Sequence, residues 1–239
     1  LTCDIIFEDD DLLVVSKPSG LQTAPAGIFL THTLLALVRR RDPGWSPMHR
    51  LGRGTTGLVV FARTTEARTR LAAAWRGREV EKRYLALVTG LVPERLVVTA
   101  PIGRVEHPIL GTINAATPDG REARSEAELV APHGDDSLLE VRITTGRPHQ
   151  IRIHMAFAGH PLVGDPLYGP GGVPKAGGTA LPSDLGYVLH AWTISFAHPR
   201  TGDRVTFVAP LPKPLRWAEP LVSPCRSVPA KHTTVRMSL

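Results

Sequence analysis

The chain has 239 residues, of which 42% are apolar and 21% charged. Those proportions exclude a wholly disordered chain, and no apolar run nears the ~20 residues that cross a bilayer as a helix. Twenty-eight Lys and Arg against 22 Asp and Glu leave a formal charge of +6, which suits either a polyanionic partner or a solvated basic surface.

Arginine dominates the basic set, and arginine meets phosphate through planar, bidentate contacts. No charged start leads into an apolar segment, so no signal peptide is read. The chain opens on Leu1, so a short preceding stretch with the initiator Met is expected. Cys3 and Cys225 lie near opposite ends. Neither has a second ligand at metal spacing, and two cysteines make no disulfide scaffold. A reducing cytoplasm is the expected setting.

In chain order, Ile5 to Phe7 and Leu12 to Val15 flank an acidic turn and predict a hairpin. Lys17-Pro18-Ser19-Gly20 breaks the second strand. Thr31 to Arg40 predicts a helix capped by Thr31 or Thr33, with basic residues in its last turn. Leu58 to Phe61 predicts a buried strand. Ala67, Leu71, Ala74 and Trp75 share one helical face, capped by Thr64 or Thr65 and ended by Gly77. Tyr84 to Val88, Leu96 to Val98, Ala127 to Val130 and Leu138 to Ile143 predict strands. His149 to Phe157 predicts a helix, and His190 to Phe196 and Val205 to Val208 the closing strands. Gly169 to Gly178 is expected to be a mobile surface loop. Many strands and few helices in no regular alternation predict an α+β fold around a largely antiparallel sheet. The segment 219–239 has no periodicity and is expected to be a basic, loosely packed tail.

Three segments carry chemistry. The first, His49-Arg50-Leu51-Gly52-Arg53-Gly54-Thr55-Thr56-Gly57, contains G-x-G-x-x-G. A dinucleotide fingerprint needs a helix after it, to put its N-terminus at the pyrophosphate. A strand follows here, so what is left is a tight turn with exposed N–H groups and two Arg, able to hold a phosphate or a carboxylate. The second is Gly146-Arg147-Pro148-His149-Gln150-Ile151-Arg152-Ile153-His154. With Pro148 in the first helical turn, His149, Arg152 and Ile153 would share a face; otherwise Arg152 pairs with a structural carboxylate. His149 and His154 are spaced wrongly for one metal. The third is Tyr84 after a basic pair, either a base-stacking platform or a core residue with a wet hydroxyl.

Taken together in this order, the segments resemble the RluA-type pseudouridine synthase family, over roughly Ile5 to Pro212. Asp10 to Gly20 resembles its opening strand and Lys-Pro-x-Gly turn. His49 to Arg63 resembles its catalytic loop and following strand, and Lys82 to Ala86 its tyrosine strand. Gly146 to His154, Gly159-His160-Pro161 and Gly164 to Gly169 resemble its most specific block. Leu189-His190-Ala191-Trp192 with His198-Pro199 resembles its closing strand.

The resemblance implies a pseudouridine synthase fold, a mixed sheet with a few flanking helices and a central RNA cleft. It implies a catalytic domain over 1–218, without the separate N-terminal RNA-binding domain common in the family. The implied activity is isomerisation of uridine to pseudouridine in structured RNA, rRNA or tRNA, by a monomer needing no cofactor, metal or membrane. The implied catalytic residues are Tyr84, Arg152 and position 52. RNA contacts fall to His49, Arg50, Arg53, Thr55, Thr56, Arg147, His149 and Gln150.

Position 52 departs from the family, which has its catalytic Asp there; this chain has Gly52. A hydrogen cannot assist at the anomeric carbon. The alternative is therefore a catalytically impaired relative that binds RNA. The family pairs that Asp with the Arg at position 152, so Arg152 needs water, an anion or another carboxylate. Asp165, Asp42 and Glu81 are the candidates.

Overall fold

The computed structural model describes residues 2–25, 31–222 and the backbone of 235–238. In chain order it holds β1 (Thr2–Glu8), β2 (Leu12–Lys17), α1 (Leu34–Arg41), β3 (Ser46–Pro47), β4 (Thr56–Ala62), α2 (Thr65–Arg76) and β5 (Glu81–Thr89). Next come β6 (Arg95–Val98), β7 (Ile102–His107), β8 (Gly111–Ala116), β9 (Ser125–His133), β10 (Asp136–Ile143) and α3 (Gln150–Phe157). The short β11 (Tyr168–Gly169) and β12 (Val173–Pro174) precede β13 (Leu189–Ala197), β14 (Arg204–Val208) and β15 (Val235–Ser238). Strands predominate, helices are few and short, and the class is α+β. Among the described residues no helix is long and apolar enough to cross a membrane.

The chain forms two compact units, Leu1–Lys82 with His190–Leu239, and Arg83–Leu189. In the first unit β1, β2 and β4 pair antiparallel in that order, and β13 joins β4 in parallel, with His190 opposite Thr56 and Ala191 opposite Gly57. β2 reads Leu12-Leu13-Val14-Val15 because both of its faces are covered; all four are buried. Thr33 caps α1, its hydroxyl accepting from the Ala36 N–H at 3.2 Å, while Arg39, Arg40 and Arg41 sit at the negative end of the helix dipole. Thr64 caps α2 and donates to Asp11 at 2.7 Å, which ties the helix start to the hairpin turn. Ala67, Leu71 and Ala74 of α2 pack on Leu12, Val14, Leu58, Val60, Ile194 and Phe196.

The second unit is an antiparallel sheet in the order β5, β10, β9, β6, with the β7–β8 hairpin beside it. Ile153 and Ala156 of α3 pack with Ile102, Ile113, Leu167 and Tyr168. The stretch expected to be a mobile loop has structure: Tyr168–Gly169 pairs with Val173–Pro174, and Lys175 Nζ donates to the Asp165 carbonyl at 2.6 Å. Of the expected tail, residues 223–234 and 239 lie outside the described residues, and Cys225 with them. The backbone of Val235–Ser238 pairs antiparallel with β1, Thr2 opposite Ser238.

Candidate active site

In the first unit, the glycine loop is built on the Lys-Pro-Ser-Gly turn. Lys17 is buried, and its ammonium donates to the carbonyls of Pro18 at 2.9 Å, Leu21 at 2.8 Å and Arg53 at 3.2 Å. Gly20 N–H also donates to the Arg53 carbonyl at 2.9 Å, and Arg53 Nε returns a bond to the Gly20 carbonyl at 3.1 Å. Upstream, the Thr23 hydroxyl donates to the Leu51 carbonyl at 2.9 Å and accepts from the Leu51 N–H at 3.1 Å. Within the loop, Thr55 N–H closes a turn onto the Gly52 carbonyl at 3.1 Å. Downstream, the Thr56 hydroxyl meets His190 Nδ1 at 2.8 Å. Gly57 has φ 105° and lies so close to β13 that a Cβ would strike the Ala191 carbonyl oxygen, so only glycine fits. The loop backbone is thus fixed from both ends, while Arg50 and Gly52 remain exposed.

Several residues expected to meet RNA point inward instead. His49 Nε2 accepts from the Val60 N–H at 3.1 Å, and its ring stacks on Trp75 at 5.6 Å. Burial, aided by the Lys82 ammonium, pushes its pKa down to about 3, so it holds no phosphate as a cation. Thr55 is buried, and the Thr56 hydroxyl is engaged with His190. His190 is buried and neutral, pushed down to about 4. Among the described residues its Nε2 has no hydrogen-bond partner, although the Ala209 backbone is near enough to favour the protonated form slightly.

In the second unit, Tyr84 on β5 stands opposite Val141 and is 8% exposed. Its hydroxyl makes no hydrogen bond among the described residues, and burial pushes its pKa up to about 12. Arg152 is 2% exposed and closed in: Nε donates to Asp165 Oδ2 at 2.7 Å, one terminal nitrogen to Oδ1 at 2.8 Å, and the other to the Pro182 carbonyl at 2.9 Å. The guanidinium lies 4.2 Å from the Tyr187 ring centre and 5.0 Å from that of Tyr168. Asp165 also accepts from the Leu167 and Tyr168 N–H groups, and despite burial Arg152, with these N–H donors, holds its carboxyl below the usual range. Of the three candidate partners Asp165 is the one; Asp42 pairs with Arg63 and Glu81 with Arg204.

Helix α3 starts one residue later than the shared-face argument required. His149 is its N-cap, with φ 57°, so His149 and Arg152 are not stacked on one helical face. Tyr168 brings them together instead: its hydroxyl donates to the Asn114 carbonyl at 2.8 Å and meets His149 Nδ1 at 2.8 Å. Gln150, an expected RNA contact, uses its amide internally. Oε1 accepts from the Thr145 hydroxyl and the Arg147 N–H, and Nε2 donates to the Arg124 carbonyl and Ser125 Oγ. Arg147 is half-buried, its Nε on the Glu122 carbonyl at 3.0 Å. Buried His154 bridges Ser125 and the Ala100 carbonyl and has its pKa lowered by burial. Sequence reasoning missed Tyr187, which carries no local signal.

Two neutral histidines, half-buried His49 and buried His190, make the fold sensitive to acid. Unfolded, each titrates near 6.5; folded, His49 and His190 do so near 3 and 4. The unfolded chain therefore binds more protons below pH 6.5, and stability falls as pH drops through that window. Each group loses roughly 1.4 kcal/mol per pH unit. Urea midpoints should thus fall steeply from pH 6.5 to pH 4.5; a flat profile would show that these rings are protonated in the native state.

The sequence model of the RNA pseudouridylate synthase family matches residues 11–157. An uncharacterized RNA pseudouridine synthase of Synechocystis sp. is 42% identical over 218 residues, covering 90% of this chain and 75% of that protein. RNA pseudouridine synthase 5 of Oryza sativa subsp. japonica is 37% identical, covering 90% and 68%. Ribosomal large subunit pseudouridine synthase D of Nitrosomonas europaea is 39% identical, covering 87% and 62%. The solved structure of human RNA pseudouridylate synthase domain containing 1 matches with a TM-score of 0.68 at 23% identity, over 96% of this chain and 91% of that one. That likeness bears on the fold alone.

Proposed function

The chain belongs to the RNA pseudouridine synthase family, isomerases that convert uridine to pseudouridine in RNA, and from that premise we propose how its own residues serve the reaction. The substrate is structured RNA, with ribosomal RNA the first choice because one relative is named for the large ribosomal subunit. The setting is cytoplasmic and the protein acts as a monomer.

The observation that carries the reading is the loop 49–57. Its backbone is held by Lys17, Gly20 and Thr23 and its Thr56 side chain by His190, while Arg50 and position 52 face solvent. A loop so fixed presents side chains at set positions to a nucleotide that must leave its stack to be reached. The uracil N1–C1′ bond breaks, the base turns, C5 joins C1′, C5 gives up its proton, and N1 gains one. Atoms and charge balance without a co-reactant.

Tyr84 comes to the nucleotide as a neutral phenol, because its raised pKa keeps the proton on at neutral pH. Its ring can stack on uracil, and its oxygen is unengaged. Arg152 is fully committed to Asp165 and Pro182, so its role is to position the segment from His149 to Tyr168. Arg50, Arg53 and Arg147 face phosphates. Lys17 and Gln150 hold the backbone beneath them, and Thr56 is tied to the His190 ring.

The test uses large-subunit ribosomal RNA carrying tritium at uridine C5. Release of label by the purified protein is the expected result. RNA binding with full retention of label would instead identify a binding relative that has lost turnover. Tyr84→Leu should lower release about 100-fold or more while RNA affinity, carried by phosphate contacts, changes only a few-fold. Equal release by the variant would remove Tyr84 from the site.

A further inference from the structure

Three arginines of the first unit meet on one short segment, residues 42–46, which leads from α1 into β3. Arg39 Nε donates to the Trp45 carbonyl at 3.2 Å. Arg68, from α2, donates to the Gly44 carbonyl at 3.5 Å and to Ser46 Oγ at 3.2 Å. The Arg63 guanidinium lies 5.1 Å from the Trp45 ring centre, and its terminal nitrogens reach Asp42 at 3.3 Å and Asp10 at 3.4 Å. Arg40 follows Arg39 in the last turn of α1 and is exposed. Gly44 and Trp45 offer consecutive carbonyls, so the Arg39 and Arg68 guanidiniums are anchored side by side.

Their charges are unequally balanced. Arg63 has two carboxylates. Among the described residues Arg39, Arg40 and Arg68 have none. Arg40 makes no hydrogen bond or ion pair there, and Arg39 makes only its bond to Trp45. Arg68 reaches one carbonyl and the hydroxyls of Ser46 and Thr65, all neutral. The nearby acids are already engaged, Asp42 by Arg63 and the Gly44 N–H, and Asp10 by Arg63 and Arg200. The dipole of α1 accounts for part of the set, since it presents roughly half a negative charge at the helix end. That is less than Arg39, Arg40 and Arg41 supply, and Arg68 belongs to another helix. Guanidiniums held close together without an acid are prepared for an anion with several oxygens.

Strand β4 fixes where this surface lies. It starts at Thr56, in the glycine loop, and finishes at Ala62, next to Arg63. Seven residues at ~3.3 Å each separate the two ends by about 20 Å. We infer that Arg39, Arg40 and Arg68 form a second RNA contact, binding backbone phosphates at the far end of β4 from the glycine loop. Such contacts add affinity and orientation and carry no sequence choice. The inference rests on the isomerase reading only for RNA as the polyanion; the contact itself needs no turnover.

The test measures binding of the full chain to the large-subunit ribosomal RNA transcript across a salt series. Arg40→Gln combined with Arg68→Gln should make the slope of log affinity against log salt shallower by about 1.4–1.8, the loss of two phosphate contacts. Arg40→Lys combined with Arg68→Lys should keep the parental slope, because the charges remain. Arg40→Gln alone removes no contact among the described residues, so it keeps the test open if the glutamine pair fails to fold; its expected change is about 0.7–0.9. A parental slope in the folded glutamine variants overturns the inference and leaves this surface to an acidic protein or to water. A lysine pair that loses slope like the glutamine pair overturns it too, since charge is then not what binds. If the parent binds RNA but releases no tritium, the isomerase reading fails while the slopes still decide the role of these arginines.

Discussion

A Gly52→Asp variant is expected to release tritium from C5-labelled RNA at least about 100-fold faster than the parent, the order of magnitude that one well-placed electrostatic or nucleophilic group contributes. Gly52 is exposed and is not among the glycines with positive φ, so an aspartate can be seated there without backbone strain. Its neighbours are fixed independently of it, Leu51 by Thr23 and Arg53 by Gly20 and Lys17. The direction of a new Cβ at position 52 is therefore set by contacts that the substitution leaves alone. The added charge stays available to the ribose, and affinity for RNA should fall only slightly from one extra negative charge. A variant that folds, binds RNA and gains no tritium release would show that the carboxylate is not what limits this protein.

What could be read from the chain beforehand followed from local physics. Caps at Thr33 and Thr64, the hairpin across Asp9 to Asp11 and the buried strand after Gly57 depend on near neighbours and apolar runs. The β7–β8 hairpin was invisible because its strands mix Gly103, Arg104 and Glu106 with few apolar residues; the ladder to β8 makes it a strand. The inward turn of His49 and Gln150 was equally hidden. Their partners, Val60 and Trp75 for one, Thr145 and Arg124 for the other, are set by folding and not by motif. Residue type marked the segments that matter, but not which members of a motif face solvent. The partner of Arg152 lay between these cases. A guanidinium at position 152 needed water, an anion or a carboxylate, and only the packed structure chose Asp165.

That choice leads to the largest stability effect expected in the molecule. Asp165→Asn should destabilise the fold by about 3–5 kcal/mol, the cost of leaving one member of a buried pair without the other. Arg152 cannot shed its proton, and its side chain is 2% exposed with Asp165 at 0%. Asparagine offers a single accepting oxygen where Arg152, Leu167 and Tyr168 together direct four N–H bonds at the carboxylate, and its amide would point a donor at a donor. The Tyr168 and Tyr187 rings and the Pro182 carbonyl soften the loss, but a cation–π contact contributes only about 0.5–2 kcal/mol, too little to replace a carboxylate. Against a total stability of about 5–15 kcal/mol, the single variant should be marginal. Arg152→Met combined with Asp165→Asn should recover a substantial part of the loss, because the second change removes the stranded charge while the remaining oxygen still serves Leu167 or Tyr168. Urea denaturation of the single and the double variant checks this sign reversal. A cost below about 1 kcal/mol for Asp165→Asn alone would mean that the charge on Arg152 is balanced by something other than Asp165.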